Sequence, residues 1–126
     1  MLKDHNSSAI VAVSDLDRAR QFYGQTLGLE RTGGGDDEPL TFRTGDTRLV
    51  VYPSEFAGTN EANAVVWGVG ADLKSIVSDL RAKGVAFERY DMDGADFADG
   101  IHWFGDFGAA WFKDPDGNIL HLNSGD

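Results

Sequence analysis

The sequence contains no cysteine among its 126 residues. A disulfide framework, a thiolate zinc site and a cysteine nucleophile are therefore excluded by composition. The sequence also lacks an apolar run long enough to cross a membrane, and its N-terminal residues lack the apolar core of a signal peptide. We therefore expect a cytoplasmic protein that does not associate with membranes.

Positive charge is scarce in this chain. Eleven lysines and arginines stand against 21 acidic residues, which gives a formal net charge of −10. A chain of this charge repels phosphate backbones, so we expect no nucleic-acid partner. The composition is 41% hydrophobic and 11% aromatic, and the length is that of one domain with a core of its own.

The chain contains an internal repeat, in which a strand, an acidic residue, an amphipathic helix and a glycine occur twice. Val13 and Val69 are 56 residues apart, and Gly28 and Gly84 are separated by the same distance. Before each glycine, apolar residues recur at helical spacing. Asp15, like Asp72 in the second copy, is a predicted helix N-cap, and each glycine suits the left-handed position that ends a helix.

Two predicted hairpins also match each other, over 42–51 and 112–121, at a distance of 70 residues. In both, apolar strands flank a turn of glycine and aspartate, which tolerate the backbone angles of tight turns. Further strands are predicted after the two helices, at 29–32 and 85–90, so each half of the chain has the order βαβββ.

This order predicts an α+β fold in which two βαβββ repeats, about 7–54 and 62–124, form curled mixed sheets around a cup-shaped pocket. The segments 53–60 and 91–106 are predicted to be long loops. Loops of that length are often lids over binding sites, and the alternative is a plain surface excursion.

Two segments of the sequence resemble those of a known superfamily. The first runs from Val13-Ser14-Asp15-Leu16 to Leu27-Gly28-Leu29, and the second is Phe112-Lys113-Asp114-Pro115-Asp116-Gly117-Asn118. In this order they resemble the vicinal oxygen chelate superfamily, which includes glyoxalase I, extradiol dioxygenases, fosfomycin-modifying enzymes and bleomycin-sequestering proteins. The resemblance spans nearly the whole chain and implies a single domain of this type over residues 1–126.

The resemblance also implies where metal ligands would lie in metal-dependent members. The corresponding positions here are Ser8, Val51, Ala64 and His121, of which only His121 is a usual ligand. A catalytic divalent metal needs about three protein ligands. His5 and His102 would both have to fold inward to rebuild such a site, so we expect no metal and no cofactor.

The resemblance further implies a ligand pocket lined from both repeats. The residues predicted to line it are Ser8, Ile10, Thr41, Val51, Ala64, Val66, Trp103, Phe104, Trp111 and His121. His121 is the best candidate for a catalytic residue, because a histidine can orient a ligand or act as a base near neutral pH. The alternative is a hydrogen-bonded, half-buried histidine with no chemistry.

The sequence leaves three functions open. Because the usual metal ligands are absent, the sequence favours a homodimer or monomer that binds a small organic molecule without a metal ion. The alternative is a lyase, isomerase, transferase or dioxygenase of the same superfamily whose atypical site includes His121. The third is an interaction partner with a vestigial pocket. The resemblance implies a homodimer, and fold alone does not decide among the three functions.

Overall fold

The computed structural model of the protein describes residues 1–34 and 39–125. The helices in these residues are α1 (Leu16–Gln21), which continues as a π-helix (Phe22–Thr26), α2 (Leu73–Ala82), and two short 3-10 helices (Leu2–Asp4, Gly70–Asp72). The strands are β1 (Ala9–Val13), β2 (Glu30–Gly33), β3 (Leu40–Thr44), β4 (Thr47–Pro53), β5 (Asn63–Gly68), β6 (Asp96–Ala98), β7 (Ile101–Phe104), β8 (Phe107–Lys113) and β9 (Ile119–Asn123). Over these residues, neither α1 nor α2 has the length and apolar character of a transmembrane helix.

The strands form two sheets, which confirms the predicted α+β class. One sheet has the strand order β1-β4-β3-β2, and the other has the order β5-β9-β8-β7-β6. In the first sheet β1 runs parallel to β4, whereas β2, β3 and β4 pair in antiparallel fashion. In the second, the pairs from β6 to β9 are antiparallel.

The chain divides into two compact units. The first contains Met1–Ala64 together with Asp114–Asn118, and the second contains Val65–Lys113 and Ile119–Asp126. Asp114–Asn118, the turn that connects β8 to β9, thus belongs to the first unit.

Most of the predicted helix ends are confirmed. The Asp15 carboxylate accepts a hydrogen bond from the backbone N–H of Arg18 at 3.1 Å. Gly28 and Gly84 have φ angles of 72° and 92°, in the left-handed region that glycine adopts without steric cost. Asp72 precedes α2 but forms no side-chain cap, because a 3-10 helix leads into α2 there.

The segment 91–106 is not a continuous loop, so that prediction was wrong. β6 and β7 form a hairpin within it, in which Asp96 pairs with Trp103 and Ala98 pairs with Ile101. Its turn is made by Asp99 and Gly100, both at positive φ. The strands are too short for a period-two pattern to stand out among the acidic and glycine residues of this segment.

The predicted strand at 85–90 forms only one bridge to the sheet. Phe87 pairs with Phe112 in antiparallel fashion, and the Glu88 N–H donates to the Trp111 carbonyl at 2.8 Å. Further along β8, the neighbouring strand is β7, where His102 pairs with Ala109. The second strand of the second repeat, the one that follows α2, is therefore supplied largely by the β6–β7 hairpin.

Each unit has its own apolar core on the side of its sheet that faces the helix. In the first unit the Tyr23 ring lies 6.0 Å from the Phe42 ring, and both are fully buried. In the second, Phe112 is buried and its ring lies 5.3 Å from that of Phe87. The remaining buried side chains on these faces include Val11, Val13, Leu40, Leu49, Val51, Leu73, Val77, Leu80, Leu120 and Leu122.

The Asp114 carboxylate is a buried hydrogen-bond centre of the first unit. The Tyr23 hydroxyl donates to its Oδ2 at 2.7 Å, and the Asn118 side-chain amide donates to the same oxygen at 2.9 Å. Oδ1 accepts from the backbone N–H groups of Asp116 and Asn118. Burial, and then the Asp114 charge, raises the pKa of Tyr23 far above its usual value, so its hydroxyl stays protonated.

The other polar residues of the same turn bind the strand and helix of the first unit. Asp116 accepts from the backbone N–H and the hydroxyl of Ser14 and forms an ion pair with Arg18 at 3.0 Å. The Asn118 amide also donates to the Ala12 carbonyl at 2.7 Å. The Asp-Pro-Asp-Gly-Asn motif therefore has a structural role. Its polar groups form hydrogen bonds and an ion pair with β1, α1 and the Ser14 that lies between them.

We expect Asp114→Asn to lower the free energy of unfolding by about 2–4 kcal/mol, because an amide nitrogen cannot accept and would leave buried donors unpaired. Urea denaturation at pH 7 measures the change. Asp106→Asn, in an exposed turn, is the matched control and should change stability by no more than about 0.5 kcal/mol. Equal stability of the two variants would contradict the assigned role of Asp114.

Alkaline pH should destabilise the protein through Tyr23. Because its pKa is raised in the folded state, the unfolded tyrosine loses its proton first, near pH 10. The contribution of Tyr23 is therefore fully present below about pH 10 and is lost as the pH rises above that value. Urea denaturation between pH 9 and 11 should show that the free energy of unfolding falls less steeply with pH for Tyr23→Phe than for the control variant Tyr52→Phe. Parallel curves for the two variants would refute this.

Candidate functional site

The sheet of the second unit has two chemically different faces. A Cβ atom placed on Gly108 would lie 2.6 Å from Leu73 Cδ2 of α2 and 2.9 Å from Trp103 Cζ3, so Gly108 and Trp103 face the helix. Because successive residues of a strand point to opposite faces, Trp111 points to the other side. Its cross-strand partner His121 lies on the same side.

Five rings cluster on the face that points away from α2, and we call this cluster the aromatic face. Trp111 stacks on His121 at a centroid distance of 4.7 Å and an interplanar angle of 21°. His102 meets Trp111 edge to face at 5.2 Å, and Phe97 meets His102 at 4.8 Å. Tyr90 lies 5.4 Å from Trp111 and 6.0 Å from His102. Trp111 and His121 are both partly exposed, so this part of the face is accessible.

A chain of hydrogen bonds fixes the tautomer of His121. Its Nδ1 lies 3.0 Å from the Ala110 carbonyl oxygen, which can only accept, so the ring proton is on Nδ1. The Asn123 side-chain amide lies 3.2 Å from Nε2 and donates to it. The Gly125 N–H donates to Asn123 Oδ1 at 2.9 Å, which holds the amide in that orientation.

Burial lowers the pKa of His121 below its usual value, and the hydrogen bond to Ala110 only partly opposes this shift. The ring is therefore neutral at pH 7. A neutral, hydrogen-bonded imidazole stacked on an indole is a flat, mainly apolar surface with one nitrogen lone pair at its edge.

The other residues of the second unit that were predicted to line a pocket do not lie together. Phe104 lies on the same side of β7 as His102, at its partly exposed end. Trp103 faces α2, where the Lys74 ammonium lies 5.5 Å from its ring centre, so Trp103 is not part of the aromatic face. Val66 on β5 is 59% exposed. The sequence analysis predicted both Trp103 and Phe104 to line the pocket, because it did not predict the β6–β7 hairpin and its two faces.

In the first unit, three side chains form a row across the sheet. Ile10 pairs with Val50, and Val50 pairs with Thr41, on the face away from α1. Ile10 is 62% exposed. Ser8 is exposed and precedes β1, and Ala64 on β5 is partly exposed.

Val51 is fully buried on the helix side of its sheet, so its assignment to a pocket was wrong. The counterpart of His121 is Val50, because Val50 pairs with Thr41 as His121 pairs with Trp111. The 70-residue offset fails on the second strand because the turn of the later hairpin is one residue longer. A slip of one residue moves a side chain to the opposite face of a sheet.

The residues at the family's metal positions do not form a metal site. The only weak donor beside His121 is the Ser8 hydroxyl, because Ala64 and the two candidate valines, Val50 and Val51, have no donor atom. His121 is therefore the one usual ligand at these positions. Among residues 1–34 and 39–125, no three histidine, aspartate or glutamate side chains come together as a metal centre would require. The donor set therefore does not fit the divalent metal that the resemblance implies for metal-dependent members.

Tyr90, Phe97, His102 and Asn123 belong to this site and were not predicted to line a pocket. Asn123 lies two residues beyond His121, which places it on the same face of β9, so the period of a strand could have revealed it. Tyr90 and Phe97 gave no such signal, because their positions depend on the path of the chain between Phe87 and β7.

Comparison with known proteins agrees with this fold. Residues 5–122 match the family described as the glyoxalase/bleomycin resistance protein/dioxygenase superfamily. The chain therefore belongs to that superfamily, which is the one its sequence resembles.

Solved structures of similar fold come from several bacteria. The antibiotic binding protein TnmS3 from Streptomyces sp. CB03234 is 24% identical, with 97% of this chain and 96% of that chain covered and a TM-score of 0.67. A glyoxalase/bleomycin resistance protein from the same organism is 24% identical, with coverages of 94% and 99% and a TM-score of 0.66. The fosfomycin resistance protein FosX from Mesorhizobium loti is 14% identical, with coverages of 98% and 93% and a TM-score of 0.70. At these identities the likenesses establish the fold.

The lowered pKa of His121 predicts a loss of stability in acid. Below about pH 6.5 the unfolded histidine gains a proton before the folded one does, so the contribution of His121 is present above that pH and lost as the pH falls. NMR titration should place the pKa of His121 below 6.5, the usual value for a histidine side chain. A His121 pKa at or above that usual value would contradict the assigned burial and tautomer.

Proposed function

We propose that this protein binds a small, neutral, planar aromatic molecule on the aromatic face, without a metal ion. The observation that carries the proposal is the stack of Trp111 on His121, which is partly exposed and 4.7 Å between ring centres. Aromatic side chains bury large areas and gain further from offset stacking, so a flat ring laid on this stack is stabilised in a specific geometry.

The state of His121 favours binding over catalysis. A general base near neutral pH needs an available lone pair and a pKa near the working pH. Here Nε2 already accepts from Asn123, and burial lowers the pKa of His121. The imidazole is thus held rigid as part of the wall, and a ligand group that donates a hydrogen bond could compete with Asn123 for Nε2.

The likeness to TnmS3, an antibiotic binding protein, supports a small organic ligand for this chain as well. The unsuitable donor set at the family's metal positions supports metal-independent binding. We further propose that the protein is a cytoplasmic homodimer, as the resemblance to its family implies. The exposed apolar side chains of Ile10 and Val66 are consistent with a subunit interface.

Fluorene, a neutral planar tricycle, should bind wild-type protein and should bind Trp111→Ala about tenfold or more weakly, because both stacking and buried area are lost. Equilibrium dialysis in the presence of a chelator measures the dissociation constants. Trp103→Ala is the matched control, since Trp103 lies on the opposite face, and its affinity should stay within about twofold of wild type. Equal weakening by both substitutions, or binding that requires an added divalent metal, would refute the proposal.

A further inference from the structure

Helix α2 carries a row of polar side chains beside its buried face. The buried residues of this helix are Leu73, Val77 and Leu80. A polar residue directly follows each of them, and we call these three residues the polar row: Lys74, Ser78 and Arg81. Because one residue turns an α-helix by about 100°, the polar row lies along the flank of the face that packs on the sheet.

A cavity of about 410 Å³ lies between the polar row and the β6–β7 hairpin. The polar row lines it from α2, and Asp99, Ile101 and Trp103 line it from the hairpin. Trp103 faces α2, so this cavity is on the opposite side of the sheet from the aromatic face. It is therefore separate from the site proposed above for planar aromatic molecules.

The turn of the hairpin lies directly against α2. A Cβ atom placed on Gly100 would be only 3.3 Å from Val77 Cγ1, and the φ angle of Gly100 is 88°. A glycine permits both the close approach and this backbone angle. The preceding residue, Asp99, is thereby held at the mouth of the cavity near the polar row.

The two cations of the polar row have no acidic partner. Neither Lys74 nor Arg81 forms an ion pair with an acidic residue of 1–34 or 39–125. The Lys74 ammonium lies 5.5 Å from the centre of the Trp103 ring, as a cation–π contact. Acidic residues outnumber basic ones by 21 to 11 in this chain, yet none of the described ones neutralises these two cations.

The charges around the cavity favour an anionic ligand with a single charge. Among the described lining residues Asp99 is the one acid, so with Lys74 and Arg81 the net charge is +1. One carboxylate balances this charge, and a guanidinium can bind it with two parallel hydrogen bonds. A phosphate dianion would leave an excess of negative charge in a protein whose net charge is already −10.

We propose that this cavity binds a small organic carboxylate, whose carboxylate group is bound by Lys74 and Arg81, with the Ser78 hydroxyl as a neutral donor. Trp103 acts as a positioning residue, because its ring holds the Lys74 ammonium at the cavity. This site does not depend on the binding of aromatic molecules to the other face of the sheet.

The test compares cyclohexanecarboxylate with cyclohexanecarboxamide, which have the same shape and differ in charge, and which have no aromatic ring to stack on Trp111. Wild type should bind the carboxylate about fivefold to tenfold more tightly, as charge-assisted hydrogen bonds in a partly exposed cavity contribute. NMR titration measures both dissociation constants. In Arg81→Gln the preference should fall to about twofold or less, because the guanidinium is lost.

Arg48→Gln is the matched control, since Arg48 is an exposed arginine of β4 and its loss changes the net charge of the protein by the same amount. This variant should keep the wild-type preference. Glutamine has nearly the helix propensity of arginine, so Arg81→Gln should retain α2.

Chemical shifts of the wild-type protein supply a second readout that needs no variant. Cyclohexanecarboxylate should shift the Ser78 backbone amide and the Trp103 indole N–H more than the Trp111 indole N–H. Equal affinity for the acid and the amide, equal effects of Arg81→Gln and Arg48→Gln, shifts confined to the aromatic face, or no binding of cyclohexanecarboxylate would each overturn the proposal. Tighter binding of cyclohexyl phosphate would overturn the assignment to a carboxylate. None of these outcomes changes the expected binding of fluorene.

Discussion

The buried carboxylate of Asp114 is the interaction on which the first unit depends most directly. A carboxylate taken out of water is stable only when its oxygens are fully hydrogen-bonded, and here four donors from Tyr23, Asp116 and Asn118 meet that requirement. Three of these donors lie within four residues of Asp114, whereas the fourth, the Tyr23 hydroxyl, is 91 residues away in sequence. The geometry of the turn and the position of the π-helical segment are therefore set together by one charged group.

The aromatic face depends on a second set of local constraints. A histidine in a partly buried strand can act as a base, as a metal ligand or as part of the wall of a binding site, and its hydrogen bonds decide which role it takes. The Ala110 carbonyl and the Asn123 amide hold His121 in one neutral tautomer, parallel to Trp111. The same logic applied to His102 leaves its Nδ1 without a hydrogen-bond partner among the described residues.

Much of the architecture follows from patterns that are local in sequence. The 56-residue repeat predicted both helices, and Asp15, Gly28 and Gly84 adopt the predicted end positions, because capping and left-handed glycines depend on a few neighbouring residues. The β6–β7 hairpin was missed, although Asp99-Gly100 is a recognisable turn signal. Its strands are short, and the hairpin joins the sheet through the pairing of β7 with β8, which no local pattern reports.

The sequence by itself determined the α+β class and the repeated order of elements, since these depend on composition and short-range spacing. Only the tertiary structure decided which side chains share a face. A one-residue difference in turn length moved Val51 into the core and put Val50 in the place that matches His121. Trp103 and His102 are adjacent in sequence, yet they lie on opposite faces, because the pleat of a strand alternates its side chains.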